Sequence, residues 1–213
     1  MDNLYYLTLL VLGLTALVSI IRYKRLSYTL KPIVFLASFS FFTEIVAFCF
    51  AKYFHNNLWV YAIACPSEFG FYSMFFYRVL NHIVLKKAIF FTWLLFSVSV
   101  ISILVIKPKL LLGGRTDVMV MSALSCVWCL FYYFQIFNNL YKKINLSLLI
   151  IVTGMIIYFA FTSIFWAIYL FLNTETYISF LNNLEPFLCT AVILEYIAII
   201  VGILIYKPKF DEH

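Results

Sequence analysis

The sequence predicts an all-α membrane protein, a polytopic bundle of seven transmembrane helices with the N-terminus outside and the C-terminus cytoplasmic. Three observations lead there. The chain of 213 residues is 65% hydrophobic and 11% charged, whereas soluble domains carry roughly 25% charged residues. Its apolar residues gather into seven runs, each near the length of about 20 residues that crosses a bilayer core. Basic residues, Asn, Gly and Pro fall between those runs, where turns belong. A closed β-barrel also satisfies every backbone amide in lipid. It needs alternating segments of about ten residues, and these runs are long and continuous.

The first span covers residues 3–21. No basic stretch precedes it, so it reads as a retained helix rather than a cleaved signal peptide. Arg22, Lys24 and Arg25 follow it, and Lys31 leads into the second span at 32–53. Lys52 to Asn57 separates that span from the third, 58–80, which runs into Arg78 and His82. The fourth, 88–106, lies between Lys87 and the Lys107-Pro108-Lys109 stop. Gly113-Gly114-Arg115 leads to the fifth, 117–140, and Asn145 to the sixth, 147–172. Asn173-Thr174-Glu175 then turns the chain into the seventh, 178–206.

Orientation follows from Lys and Arg counts on alternate sides. With the N-terminus outside, the cytoplasmic set is Arg22, Lys24, Arg25, Lys31, Arg78, Lys86, Lys87, Lys142, Lys143, Lys207 and Lys209. The outer set is Lys52, Lys107, Lys109 and Arg115. The bias of eleven to four fixes the orientation and points to the inner, cytoplasmic membrane. The net charge of +6 thus belongs to span ends, and the partner it implies is the bilayer rather than nucleic acid.

All five cysteines sit within or at the edge of apolar runs, as small hydrophobes do. Cys126 and Cys129 form a C-x-x-C on a span with no second pair, which argues against zinc or redox chemistry. No cofactor or metal is expected. His55 and His82 fall on opposite sides, against a zinc hydrolase of the seven-span ceramidase kind. No lysine lies inside the last span, as a retinal protein requires. The chain is not read as an enzyme.

Three spans carry a glutamate inside the apolar run. Glu44 lies roughly 20 Å into the second span and Glu68 roughly 15 Å into the third, at 1.5 Å per residue. Glu195 is near the middle of the seventh. Carboxyls at that depth are costly and mark functional sites by default. Ala37, Ser40, Ala47 and Ala51 share the face of Glu44, and Ala191, Ala198 and Gly202 that of Glu195. Such small-residue stripes let helices approach closely, so both acids should face protein. Pro66, two residues before Glu68, removes a backbone hydrogen bond and predicts a kink. No basic residue shares this depth. Hydroxyls are the expected partners: Tyr61, Tyr72, Ser125, Tyr158, Thr162, Ser163 and Tyr196. The candidate ligand or proton site is Glu44, Glu68, Glu195, Tyr72 and Tyr196. Arg78, His82 and Gln135 form a cytoplasmic rim that suits either a docked partner or solvent.

The strings KPIVFLASFSFFTEIVAF and NNLWVYAIACPSEFGFYSMFFYRVL within residues 31–80 carry a family pattern, as do YYFQIF and IIVTGMIIYFAFTSIFW. The chain resembles a family of uncharacterised small seven-helix integral membrane proteins of Bacteroidota-type bacteria. That resemblance covers nearly the whole chain and implies a standalone membrane unit of a kind associated with sensor kinases. It supplies no catalytic residues. The expected function is a sensory or regulatory membrane subunit that signals through a separate membrane or cytoplasmic partner, with room for an oligomer. The alternative is a small proton-coupled transporter or channel. A membrane-lipid enzyme with paired acids, or a defence-associated membrane effector, ranks lower.

Overall fold

A computed structural model describes residues 2–106, 116–138, 145–171 and 174–207. The regular structure among them is helical throughout, as expected. It comprises α1 (Asp2–Arg22), a 3-10 turn (Tyr23–Arg25), α2 (Lys31–Phe54), α3 (Leu58–Val79), α4 (Ile83–Ile106), α5 (Thr116–Asn138), α6 (Leu146–Phe171) and α7 (Thr174–Ile205). The expected turns at 107–115 and 139–144 and the tail from Pro208 lie outside the described residues.

Local chemistry sets the boundaries. Pro32 stands in the first turn of α2, where its missing N–H costs nothing. His55 ends that helix in the left-handed region, at φ 54°. Asn56 Oδ1 accepts from the Leu58 amide at 3.0 Å and so starts α3. Asn145 Oδ1 accepts from the Ser147 amide at 3.1 Å and starts α6. Two helices begin well before the sequence reading placed them, by five and four residues, and the others within one residue of it. α4 starts at Ile83 rather than 88 because Lys86 fits inside it, its ammonium lying over the Tyr77 ring at 5.5 Å; long basic side chains reach back to the interface in this way. α7 starts at Thr174 rather than 178, so Glu175 belongs to the helix and not to a loop.

Packing arranges six helices in a closed ring, in the order α1, α2, α3, α5, α6, α7 and back to α1. α4 stands outside this ring and packs chiefly on α3. The ring is filled by Phe75, Phe76, Ile151, Met155, Phe159 and Ile199, all fully buried. Its outer surface is apolar, with Phe42, Phe54, Leu130 and Ile164 exposed. Arg22 closes the seam between α1 and α7. Its Nη1 donates to the carbonyls of Ile203 at 3.1 Å and Leu204 at 2.7 Å, which the last turn of α7 leaves without helical partners.

Among the described residues, six helices are long and apolar enough to cross a membrane: all but α3, with α7 qualifying over Pro186–Ile205. With their apolar exterior, this makes the chain a multi-pass membrane protein. α3 differs because Pro66, Ser67, Glu68 and Gly70 interrupt its apolar run. α2, α4 and α5 all pack against it, so Pro66 is buried and Glu68 and Gly70 are half-buried, while Ser67 is exposed.

α6 and α7 approach each other closely at two glycines. A Cβ on Gly154 would overlap that of Ala198, and one on Gly202 would press on Ile151 and lie 3.0 Å from the Ser147 carbonyl. Ser147 Oγ also donates to the Gly202 carbonyl at 2.7 Å. Gly154→Ala should therefore lower stability in detergent by about 1–3 kcal/mol. Adding Ala198→Gly should recover most of that loss in the same unfolding assay.

Candidate functional site

The ring brings four of the five predicted site residues near one another: Tyr72, Glu195 and Tyr196 are buried and Glu68 is half-buried. Tyr72 from α3 donates its hydroxyl to Glu195 Oε1 on α7 at 2.8 Å. The two residues are 2% and 1% exposed. In the ring order α3 and α7 stand opposite each other, so this bond spans the interior rather than a seam between neighbours. Glu195 Oε2 is buried and has no hydrogen-bond partner among the described residues.

A second link runs alongside. Ser40 Oγ on α2 donates to Glu68 Oε1 on α3 at 3.0 Å, close to Tyr196, which follows Glu195 on α7. Glu68 lies near Glu195, and Tyr72, Tyr158 and Tyr196 lie near both carboxyls. Three helices thus meet through Tyr72, Glu195, Tyr196, Ser40 and Glu68, with Tyr158 of α6 against them. The cluster can hold a proton or a small polar ligand, since its oxygens both donate and accept.

Glu44 takes a different position. It lies one turn along α2 from Ser40, half-buried, and its Oε2 accepts from Tyr61 at 2.9 Å and from Tyr5 at 3.5 Å. Its small-residue face packs as expected: Ala37, Ser40 and Ala47 are buried, while Phe42, Ile45 and Phe48 are exposed. The same holds around Glu195, with Ala191 and Gly202 buried. Of the three glutamates, Glu195 is buried and Glu44 and Glu68 are half-buried, Glu68 bonded to Ser40 and Glu44 to Tyr61 and Tyr5.

Pro66 sits inside a helix that continues through it. Its own carbonyl accepts from the Trp93 indole at 3.2 Å, so α4 is fastened to α3 at the proline. Of the predicted rim, Gln135 Oε1 accepts from the Asn81 amide at 2.8 Å and its Nε2 donates to the Val79 carbonyl at 3.3 Å. Gln135 thereby holds the end of α3 to α5. Arg78 lies over the Tyr28 ring at 3.6 Å, and His82 is exposed.

Sequence reasoning passed over Tyr5 and took Ser40 only as a small residue. Serine at a stripe position fits close packing and hydrogen bonding equally, and nothing local separates the two. Asp117, 3% exposed in the first turn of α5, was also missed; its signal was an acid at a helix start. The chain matches no protein-family model, and no curated protein or solved structure matches it.

The Tyr72 bond should be the costliest of these to break. Tyr72→Phe should destabilise the bundle by about 1–3 kcal/mol, because it leaves a buried carboxyl without its donor. Tyr61→Phe, beside the half-buried Glu44, should cost about 0.5 kcal/mol. Unfolding in mixed micelles measures both.

Proposed function

We propose that this protein is a sensory or regulatory membrane subunit whose input is the Glu195–Glu68 cluster and whose output passes to a separate partner. The proposal includes a seventh crossing by α3, an outside N-terminus, a cytoplasmic C-terminus and residence in the inner membrane, all resting on the charge bias of the span ends. Membership of the seven-helix family is part of the same reading.

One observation supports it above the others. Glu195 ties opposite sides of the ring through one oxygen and keeps the other without a partner among the described residues. A proton or ligand taken up there alters the direct bond between Tyr72 of α3 and Glu195 of α7. Two packings of the ring that differ in this bond would then be populated according to occupancy. The basic ends of the helices offer the surface that a cytoplasmic partner reads.

A second reading has its own support. Tyr61, Glu44, Ser40, Glu68, Tyr196 and Glu195 form a stepped series of hydrogen-bonding groups over α2, α3 and α7. Such a series suits a proton relay in a small transporter or channel.

Two measurements separate them. Purification of the tagged chain in mild detergent should retain a stoichiometric partner, and Glu195→Gln should change that partner's activity without releasing it. The chain alone in liposomes should then carry no proton flux. Flux abolished by Glu68→Gln, in a preparation with no partner, would replace the regulatory reading with the transporter.

A further inference from the structure

We propose that the cleft between α3 and α4 binds one anionic glycerophospholipid. The cleft arises because α4 stands outside the ring and is fastened to α3 by Trp93 near the middle of the helix. Toward the basic end the two helices leave a cavity of about 530 Å³, within the range of small-molecule sites. Its walls are apolar, including Phe71, Phe90 and Trp93. Phe90 and Met74 are exposed on the outer surface of the bundle, so the cleft opens toward lipid.

Among the polar side chains that line this mostly apolar space, which include Ser67, Tyr28 and Tyr77, Arg78 and Ser73 stand in an order that matches a phospholipid. Arg78 closes the basic end. Its guanidinium is held over the Tyr28 ring and donates to the Tyr28 carbonyl and to the Met74 sulfur. That leaves the rest of its five-donor fork for an anion among the described residues, in the planar geometry that suits phosphate. Lys86 adds a second cation on the neighbouring turn of α4. Ser73 lies five residues earlier on α3, about 7.5 Å deeper. It is 4% exposed, lines the cleft, and its hydroxyl has no partner among the described residues. Phosphate on Arg78, an ester carbonyl on Ser73 and an acyl chain along Phe71 and Trp93 is the sequence of groups met on going down into a leaflet. Basic pockets between transmembrane helices recognise anionic headgroups on this principle. The inference is independent of the carboxylate cluster, which lies on the ring side of α3.

Native mass spectrometry of the delipidated full chain tests it, with phosphatidylglycerol, phosphatidylcholine of the same chains, and inorganic phosphate as probes. One phosphatidylglycerol per chain should be retained in preference to phosphatidylcholine. Arg78→Gln should weaken that retention by about fivefold or more. Ser73→Leu, which fills the cleft, should remove it, and Lys52→Gln at the far end of α2 should leave it unchanged. If Arg78→Gln does not fold, Arg78→Lys and Ser73→Ala take its place, each with a partial loss expected. Equal retention of the two lipids would overturn the proposal, as would retention untouched by the Arg78 and Ser73 variants. Displacement of the lipid by inorganic phosphate alone would also overturn it, reducing the site to one for a free anion.

Discussion

A carboxyl at bilayer depth has to be accommodated without water and without a neighbouring cation, and in this bundle the arrangement of helices follows from how that is done. Glu195 takes its hydrogen bond from Tyr72, on the helix opposite its own. A seam between neighbouring helices could satisfy a polar group locally. A bond across the interior fixes the width of the ring, because both α3 and α7 must keep the distance that a tyrosine and a glutamate span together. The close approach of α6 to α7 at Gly154 and Gly202, and the Arg22 clasp from α1, hold α7 where this bond requires it. Burial of a charged or polar group is expensive unless its partners are present, so the cost of Glu195 is tied to the integrity of the whole ring.

α3 mediates between this interior and the periphery. Tyr72 on one face of it reaches Glu195, and Ser73, the next residue, lines the cleft under α4. The same helix receives Ser40 from α2 at Glu68, Gln135 from α5 at its end, and Trp93 from α4 at Pro66. Enclosure on so many sides explains a composition that would be unfavourable in a lipid-facing helix. Proline, glutamate and glycine occur together where other helices form much of the surroundings, with Ser67 between them facing the cleft.

Much of this was legible in the chain. Runs of apolar residues gave each helix to within a few residues, because membrane thickness fixes their length. Alanine and serine spaced along the Glu44 and Glu195 faces identified which sides turn inward. The ring closure was not legible: periodicity says which face is buried and not which helix it meets. For that reason Glu44, Glu68 and Glu195 read as equivalent acids, although Glu44 finds Tyr61 and Tyr5 while the other two share a cluster. The cleft was hidden for the same reason. Arg78 reads as an ordinary interfacial cation until Ser73 and the α4 aromatics are placed beside it.

The bond between Tyr72 and Glu195 can be observed directly by infrared spectroscopy in lipid. The difference between the wild-type protein and Glu195→Gln isolates the carboxyl stretch of Glu195, and repeating the subtraction in a Tyr72→Phe background shows whether the donor touches it. A band that shifts on loss of the Tyr72 hydroxyl, with no matching shift in Tyr61→Phe, is the expected result. A band unchanged by Tyr72→Phe would contradict a ring held across its interior by this pair.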